Sequence, residues 1–196
     1  LQITPGEKVC ITGQNGSGKS TLISLLAALY SNQAGSVAYD GLPAGNIDTE
    51  SLRDQIGACL TEEKIFQGTL AENIHLGRQN VTLEAVRHAA SEMGLDAFVQ
   101  QLPQGFDTII DPEGRKLPRS IIQKILLARA ICNQPRLLLL EDAFEHIQQE
   151  EQEVLIHRLT DSGKPWTLIA ASSNPVLARH CDRVIAMKNG MIEQIK

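Results

Sequence analysis

The chain has 196 residues, 42% hydrophobic and 21% charged, enough for one globular domain with a substantial core. A formal net charge of −5 argues against a general nucleic-acid binder, and 4% aromatic residues leave little for base-stacking platforms. No apolar run approaches the ~20 residues that span a bilayer, and the four leucines at 137–140 are closed by Glu141.

In chain order, residues 8–12 are short and apolar, as a buried strand is, and a glycine-rich loop follows at once. The run 21–30 predicts a helix too apolar to lie on a surface. Residues 36–39 with the turn dipeptide Asp40-Gly41 predict a hairpin, 51–55 a short helix and 56–60 a strand. From about 69 to 101 the pattern is helical, with Thr82 placed to cap, Glu84 in the first turn, and Leu83, Val86, Ala89 and Ala90 on one face. Pro103 and Gly105 break it. A long helix is expected over about 118–133, with Pro118 in its first turn, and Pro135 separates it from a strand at 136–141. A polar-faced helix at 150–160, a buried strand at 167–171, and strands 183–187 and 191–195 around the type I′ signal Asn189-Gly190 complete the order.

Strands alternating with helices imply an α/β fold with a mainly parallel sheet covered on both faces. The helical block at about 62–130 reads as an insertion into a core made of about 1–61 and 131–196, giving one domain with two lobes and a small antiparallel β part. The start at Leu1, without an initiator Met and directly before a strand-like segment, predicts a piece of something longer. Cys10, Cys59, Cys132 and Cys181 are scattered, which suits reduced thiols. His75, His88, His146, His157 and His180 lack ligand spacing.

The chemistry is concentrated in Gly13, Gln14, Asn15, Gly16, Ser17, Gly18, Lys19 and Ser20, which satisfy GxxxxGK[ST] in full. Glycines let the backbone curl so that successive N–H groups face phosphate oxygens, and the helix that follows, beginning near Thr21, adds positive potential at its N-terminus. Lys19 suits β- and γ-phosphate oxygens, and the Ser20 hydroxyl suits Mg²⁺. The strand 136–141 then delivers Glu141 and Asp142, the form of a second magnesium element.

Several segments together resemble the ATP-binding-cassette (ABC) transporter ATPase domain. Leu127-Ala128-Arg129-Ala130, Asn133, Pro135-Arg136 and the four leucines are similar to its ALARA…NPxxLLLD run. Leu102-Pro103-Gln104-Gly105-Phe106-Asp107-Thr108 resembles the LPxGxDT segment of the exporter type, and Ile65-Phe66, Gly68-Thr69-Leu70 and Glu72-Asn73-Ile74 resemble LFxGTIxENI. Asp182-Arg183-Val184-Ile185 with Asn189-Gly190 is similar to the DRIIVLxNG ending. The likeness spans essentially the whole chain. It implies a P-loop NTPase core, ATP with Mg²⁺, a second nucleotide-binding domain, transmembrane domains, a place on the cytoplasmic face of a membrane, and no nucleic acid as partner. It also implies an adenine-stacking aromatic upstream of Leu1.

The same likeness marks departures. The family's LSGGQ signature falls on Leu117-Pro118-Arg119-Ser120-Ile121, where Pro118 has neither hydroxyl nor N–H and Arg119 and Ser120 carry side chains where bare backbone is wanted. The glutamine that senses magnesium aligns with Thr61, the Asp-Glu pair is inverted to Glu141-Asp142, the switch histidine aligns with Ser173, and the aspartate of the D-loop with Gln148. Asp142 in the base position is one methylene short, and misplacement by about 1 Å can cost on the order of a hundredfold. The resemblance therefore implies MgATP binding with impaired hydrolysis, beside another cassette in a heterodimer or an asymmetric assembly. A working ABC ATPase and a soluble ATP-binding regulator without a transporter are the alternative readings.

Overall fold

The computed structural model describes residues 1–195. The elements in order are β1 (Lys8–Thr12), α1 (Lys19–Leu26), β2 (Ala38–Tyr39), β3 (Leu42–Pro43), α2 (Thr49–Asp54), β4 (Ile56–Cys59), β5 (Gly68–Thr69), α3 (Leu70–His75), α4 (Leu83–Glu92), α5 (Asp96–Gln101) and β6 (Ile109–Ile110). They continue as α6 (Arg119–Cys132), β7 (Leu137–Glu141), α7 (Gln149–Thr160), β8 (Thr167–Ala171), α8 (Pro175–His180), β9 (Arg183–Lys188) and β10 (Met191–Ile195). The main sheet has the order β10-β9-β1-β8-β7-β4, parallel throughout except for antiparallel β10 at its edge. Two short antiparallel pairs, β2–β3 and β5–β6, stand apart from it.

Side chains alternate across a strand, so each apolar run divides between two cores. Val9, Ile11, Leu139, Ile169 and Ala171 face the layer of α1 and α2, where Ile23, Ala27 and Leu52 meet them. Cys10, Leu138, Leu140, Leu168 and Ala170 face the other way, against residues of α3, α4, α6, α7 and α8. Burial on both faces is why these strands read as unbroken apolar runs. The α/β class, the mainly parallel sheet and the small antiparallel part all agree with the sequence reading.

α6 joins the helices of 70–101 to the sheet, because it packs on α3 and α4 and also on β4. Its Arg129 is buried yet satisfied: Nε donates to the Asn73 carbonyl at 2.7 Å and Nη1 to the Lys64 carbonyl at 3.2 Å. Asn73, fully buried, donates in turn to the carbonyls of Phe66 (3.0 Å) and Thr69 (3.1 Å) and accepts from the Phe66 N–H at 3.1 Å. Buried polar groups with partners cost little, and here they fix the course of the chain at 64–73.

Several boundaries differ from expectation for identifiable reasons. The helix expected over 21–30 stops at Leu26, Ala28 turns left-handed (φ +54), and Leu29 and Tyr30 are 51% and 62% exposed. Only one side of α1 packs on the sheet, so apolar composition overstated its burial. The helical stretch 69–101 is three helices, broken where Leu76 and Gly77 (φ +55 and +71) close α3 and where Gly94 (φ +68) separates α4 from α5. Thr82 does cap α4, accepting from the Ala85 N–H at 3.2 Å, and Val86, Ala89 and Ala90 are buried. Leu83, the first residue of that helix, is 47% exposed. Pro118 is the N-cap of α6 in extended conformation (ψ +143) rather than part of its first turn. The sequence reading missed α8 altogether, although Asn174-Pro175 is a cap followed by proline at the first position, and the Asn174 side chain accepts from the Val176 and Leu177 N–H groups. Among the described residues no helix is long and apolar enough to cross a membrane.

Candidate functional site

Four parallel strands, β1, β8, β7 and β4, end at the same edge of the sheet, and each carries a singled-out residue just past its end. Gly13 to Ser20 follow β1, Ser172 and Ser173 follow β8, Glu141 and Asp142 end and follow β7, and Thr61 lies two residues beyond β4. In open parallel sheets this edge is where ligands bind, because the strands' ends and the helix N-termini converge there.

The loop from β1 to α1 is shaped by its glycines. Gly13, Gly16 and Gly18 have φ of +152, +81 and +100, a region that side chains disfavour. A Cβ on Gly13 would lie 2.7 Å from the Ser17 hydroxyl oxygen, so the loop closes on itself only without one. The Ser17 N–H donates to the Gln14 carbonyl at 3.1 Å, tightening the curl. Gly18 caps α1 without a side-chain hydrogen bond, and α1 has no acidic residue in its first turn to compete for its free N–H groups. The Lys19 ammonium folds over the loop and donates to the Gly13 carbonyl at 2.8 Å and the Gln14 carbonyl at 3.2 Å. Gln14, Asn15, Gly16, Ser20 and Thr21 are exposed, so the concave backbone is open to solvent.

Glu141 and Asp142 have different surroundings. The Glu141 carboxylate accepts from the Thr61 N–H at 3.3 Å. Asp142 is left-handed (φ +43), and its N–H donates to the Ala171 carbonyl at 3.0 Å, which turns its side chain toward β8 and the loop. Burial, then the neighbouring Glu145 and Glu141 charges, push its carboxyl above the usual range, against the pull of Lys19 and a hydrogen bond with Ser172. Lys19, Asp142 and Ser172 thus form one electrostatic neighbourhood. Ser173 is exposed beside it, while Gln148 sits apart as the exposed N-cap of α7.

Arg119, the first residue of α6, lines a cleft of about 410 Å³ with Thr61, Glu141 and Asp142. Glu63 and Gln123, which sequence reasoning did not single out, line the same cleft. Gln123 donates to the Cys59 sulfur at 3.3 Å across 64 positions of sequence, a contact with no local signal. The Asn189-Gly190 turn was read as a hairpin, yet nothing in its spacing revealed that the Gly190 N–H reaches the Ser17 carbonyl at 2.9 Å.

Comparison with known proteins gives a consistent picture. Residues 1–145 match a family model described as ABC transporter. The chain is 34% identical over 194 residues to the cyclolysin secretion/processing ATP-binding protein CyaB of Bordetella pertussis, covering 99% of this chain and 27% of that protein. It is 31% identical over 195 residues to multidrug resistance protein pgp-1 of Caenorhabditis elegans, and likewise to the putative multidrug export ATP-binding/permease protein YgaD of Bacillus subtilis, spanning 15% and 34% of their lengths. A solved structure of a bacterial Atm1-family ABC exporter with ATP bound matches all of this chain and 34% of its own, with a TM-score of 0.92 at 25% identity. The chain therefore corresponds to about a third or less of each of these proteins.

Proposed function

The chain belongs to the ABC transporter family, and from that premise we propose that it is the nucleotide-binding domain of an exporter, binding MgATP but impaired in hydrolysis. The observation that carries the binding reading is the open cradle of Gly13 to Ser20 with Lys19 folded over it. The fit is chemical as well as geometric. A Cβ at Gly13 would collide with the Ser17 side chain and the Met187 carbonyl, so the curl of the loop depends on its absence; the first turn of α1 offers N–H groups with no acidic neighbour, and Lys19 exchanges two neutral carbonyls for phosphate oxygens. Gln14, Asn15, Gly16 and Gly18 would supply backbone donors, Ser17 the buried turn that holds them in place, Thr21 the end of the cradle, and Ser20 with Glu141 oxygen ligands for the metal. Mg²⁺ bound there would neutralise charge on the β- and γ-phosphates.

Impaired turnover is inferred from what stands around that cradle. Asp142 is one methylene shorter than a glutamate, and its left-handed backbone (φ +43) is held by the Ala171 carbonyl. Ser173 and Thr61 offer no imidazole or amide, and Thr61 meets Glu141 through its backbone. Pro118, Arg119 and Ser120 begin α6 without a glycine, so the segment that would clamp a nucleotide on a facing cassette lacks bare backbone. We assign the chain a partner cassette with an intact signature, in a heterodimer on transmembrane domains at the cytoplasmic face of a membrane. Nucleotide held between the two would favour the closed arrangement and so bias the membrane part. The division into a core of about 1–61 and 131–196 and a helical lobe of about 62–130 belongs to the same proposal.

The test is thermal or chemical denaturation with and without MgATP. At 100-fold over Kd, ligand stabilises the folded chain by about 2.7 kcal/mol, and Lys19→Ala removes that gain. An equal stabilisation of both chains would place binding elsewhere.

A further inference from the structure

The glycine-rich loop is supported by more than its own strand and helix. β9 runs parallel to β1 in a register that pairs Ile11 with Ile185 and Thr12 with Ala186. The following residues, Gly13 and Met187, therefore come side by side where β1 ends and β9 runs on to Lys188. Their approach is so close that a Cβ on Gly13 would sit 2.3 Å from the Met187 carbonyl oxygen. Beyond Lys188 the β9–β10 hairpin turns at Asn189 and Gly190, both left-handed at φ +50 and +77. That turn meets the loop again. The Gly190 N–H donates to the Ser17 carbonyl at 2.9 Å, and a Cβ on Gly18 would lie 3.3 Å from the Gly190 Cα and 3.6 Å from the Met187 Cε.

Ser17 shows what kind of support this is. It is 4% exposed, and its hydroxyl is buried with no hydrogen-bond partner. Its backbone is held at both ends instead, the N–H by Gln14 and the carbonyl by Gly190. The carbonyl of Ser17 and the N–H of Gly18 share one peptide plane, so fixing the first fixes the direction of the second. An N–H pointing into the cradle is what an anion reads there.

We propose that the β9–β10 turn, acting through Gly190, is a positioning element of the phosphate loop. Nucleotide affinity then depends on a residue that does not touch the nucleotide, and by reciprocity a bound nucleotide tightens the turn. The proposal rests on the nucleotide-binding reading above.

The test compares Gly190→Val with Gly190→Asn. A Cβ at this position meets nothing within 4 Å, so the two variants differ chiefly in backbone preference. Asn tolerates the left-handed conformation, whereas a β-branched residue there is strained. Val relaxes by moving the turn off the loop, and binding must restore it. Gly190→Val is expected to bind MgATP about tenfold more weakly than the wild type, and Gly190→Asn within about twofold, measured by calorimetry well below the melting transitions. Hydrogen exchange of the wild-type Gly190 amide gives a second readout, independent of whether Val folds: it should be slower than in an unstructured peptide, and slower again with saturating MgATP. Wild-type affinity in Gly190→Val, equal losses in both variants, or a Gly190 amide indifferent to bound MgATP would overturn the proposal. A wild-type chain that binds no MgATP would instead count against the nucleotide-binding reading. The tie is then read from the ligand-free chain, where exchange at the unstructured rate would refute it.

Discussion

The Thr61 N–H donates to the Glu141 carboxylate at 3.3 Å, tying the loop after β4 to the end of β7. The contact is made by backbone, so the Thr61 side chain does nothing to it, and one carboxylate oxygen of Glu141 is already engaged from the side opposite the phosphate loop. The remaining acceptor capacity is what a metal ion would use.

Glu141→Gln is therefore predicted to lower the part of the ATP-induced stabilisation that depends on Mg²⁺, while leaving the shift produced by ATP with chelator nearly unchanged. Replacing the anionic oxygen by a neutral amide weakens its attraction for a divalent ion, and the expected loss is about tenfold in Mg²⁺ affinity, that is, about 1.4 kcal/mol. Melting curves with ATP, with and without Mg²⁺, separate the two parts. An undiminished Mg²⁺ effect in the variant would remove Glu141 from the metal site.

Gly57, in the middle of β4, makes a structural prediction. A Cβ there would lie 2.0 Å from the Ala130 carbonyl oxygen and 2.8 Å from Pro135 Cγ, both in the segment that lays α6 on the sheet. Neither a helix carbonyl nor a proline ring can swing aside. Gly57→Ala should lose at least the 1–3 kcal/mol typical of overpacking, that is, roughly 1–3 kcal/mol or more, read as a lower urea midpoint. An unshifted midpoint would mean that α6 does not sit on β4 as described.

These two cases show what sequence reveals and what it hides. The strands 167–171 and 191–195 have the observed bounds because an unbroken apolar run and a turn dipeptide are local signals. The cradle of Gly13 to Ser20 was legible for the same reason, its glycines being required by backbone geometry within eight positions. Gly57 carried no such mark, since its demand comes from a carbonyl 73 residues away. The Gly190–Ser17 and Gln123–Cys59 contacts are likewise products of sheet order, which places distant segments side by side. The length of α1 was misjudged because apolar residues alone do not say which side will face the sheet.

Asp142 gives a pH prediction. Its folded-state affinity for protons is raised, first by burial and then by Glu145 and Glu141. The folded chain consequently binds this proton at higher pH than the unfolded chain does. The stabilising contribution of the protonated carboxyl is complete below the unfolded carboxylate value, about 3.9, and is lost as pH rises through the elevated folded value. At neutral pH the ionised group is a net burden, so Asp142→Asn should melt higher than the wild type. That advantage should shrink as the pH falls through the acid range. Melting temperatures of both chains between pH 4 and 8 test this, and an advantage that grew toward acid pH would contradict the assigned sign.

The purified chain is expected to release phosphate from MgATP more slowly than about 1 s⁻¹, the lower end of typical enzyme rates, and Asp142→Glu alone should not change this. Lengthening the side chain supplies reach, but the backbone that aims it is left-handed at φ +43 and held by the Ala171 carbonyl. A longer carboxylate on that backbone still has Ser172 as its neighbour. Ser173 remains a short hydroxyl, and Thr61 remains occupied with Glu141 through its N–H. A proposed site shared between two cassettes adds a further obstacle, because Pro118 at the head of α6 has no N–H to offer a facing nucleotide, whichever residue serves as base here. A partner with an intact segment could still close over nucleotide held in this cradle, so binding and occlusion should survive where turnover does not. Phosphate release by the wild type, by Asp142→Glu and by Asp142→Glu/Ser173→His, each alone and mixed with a candidate partner, distinguishes these possibilities. Wild-type turnover at or above about 1 s⁻¹, abolished by Lys19→Ala, would establish a working ATPase and reject the impaired reading.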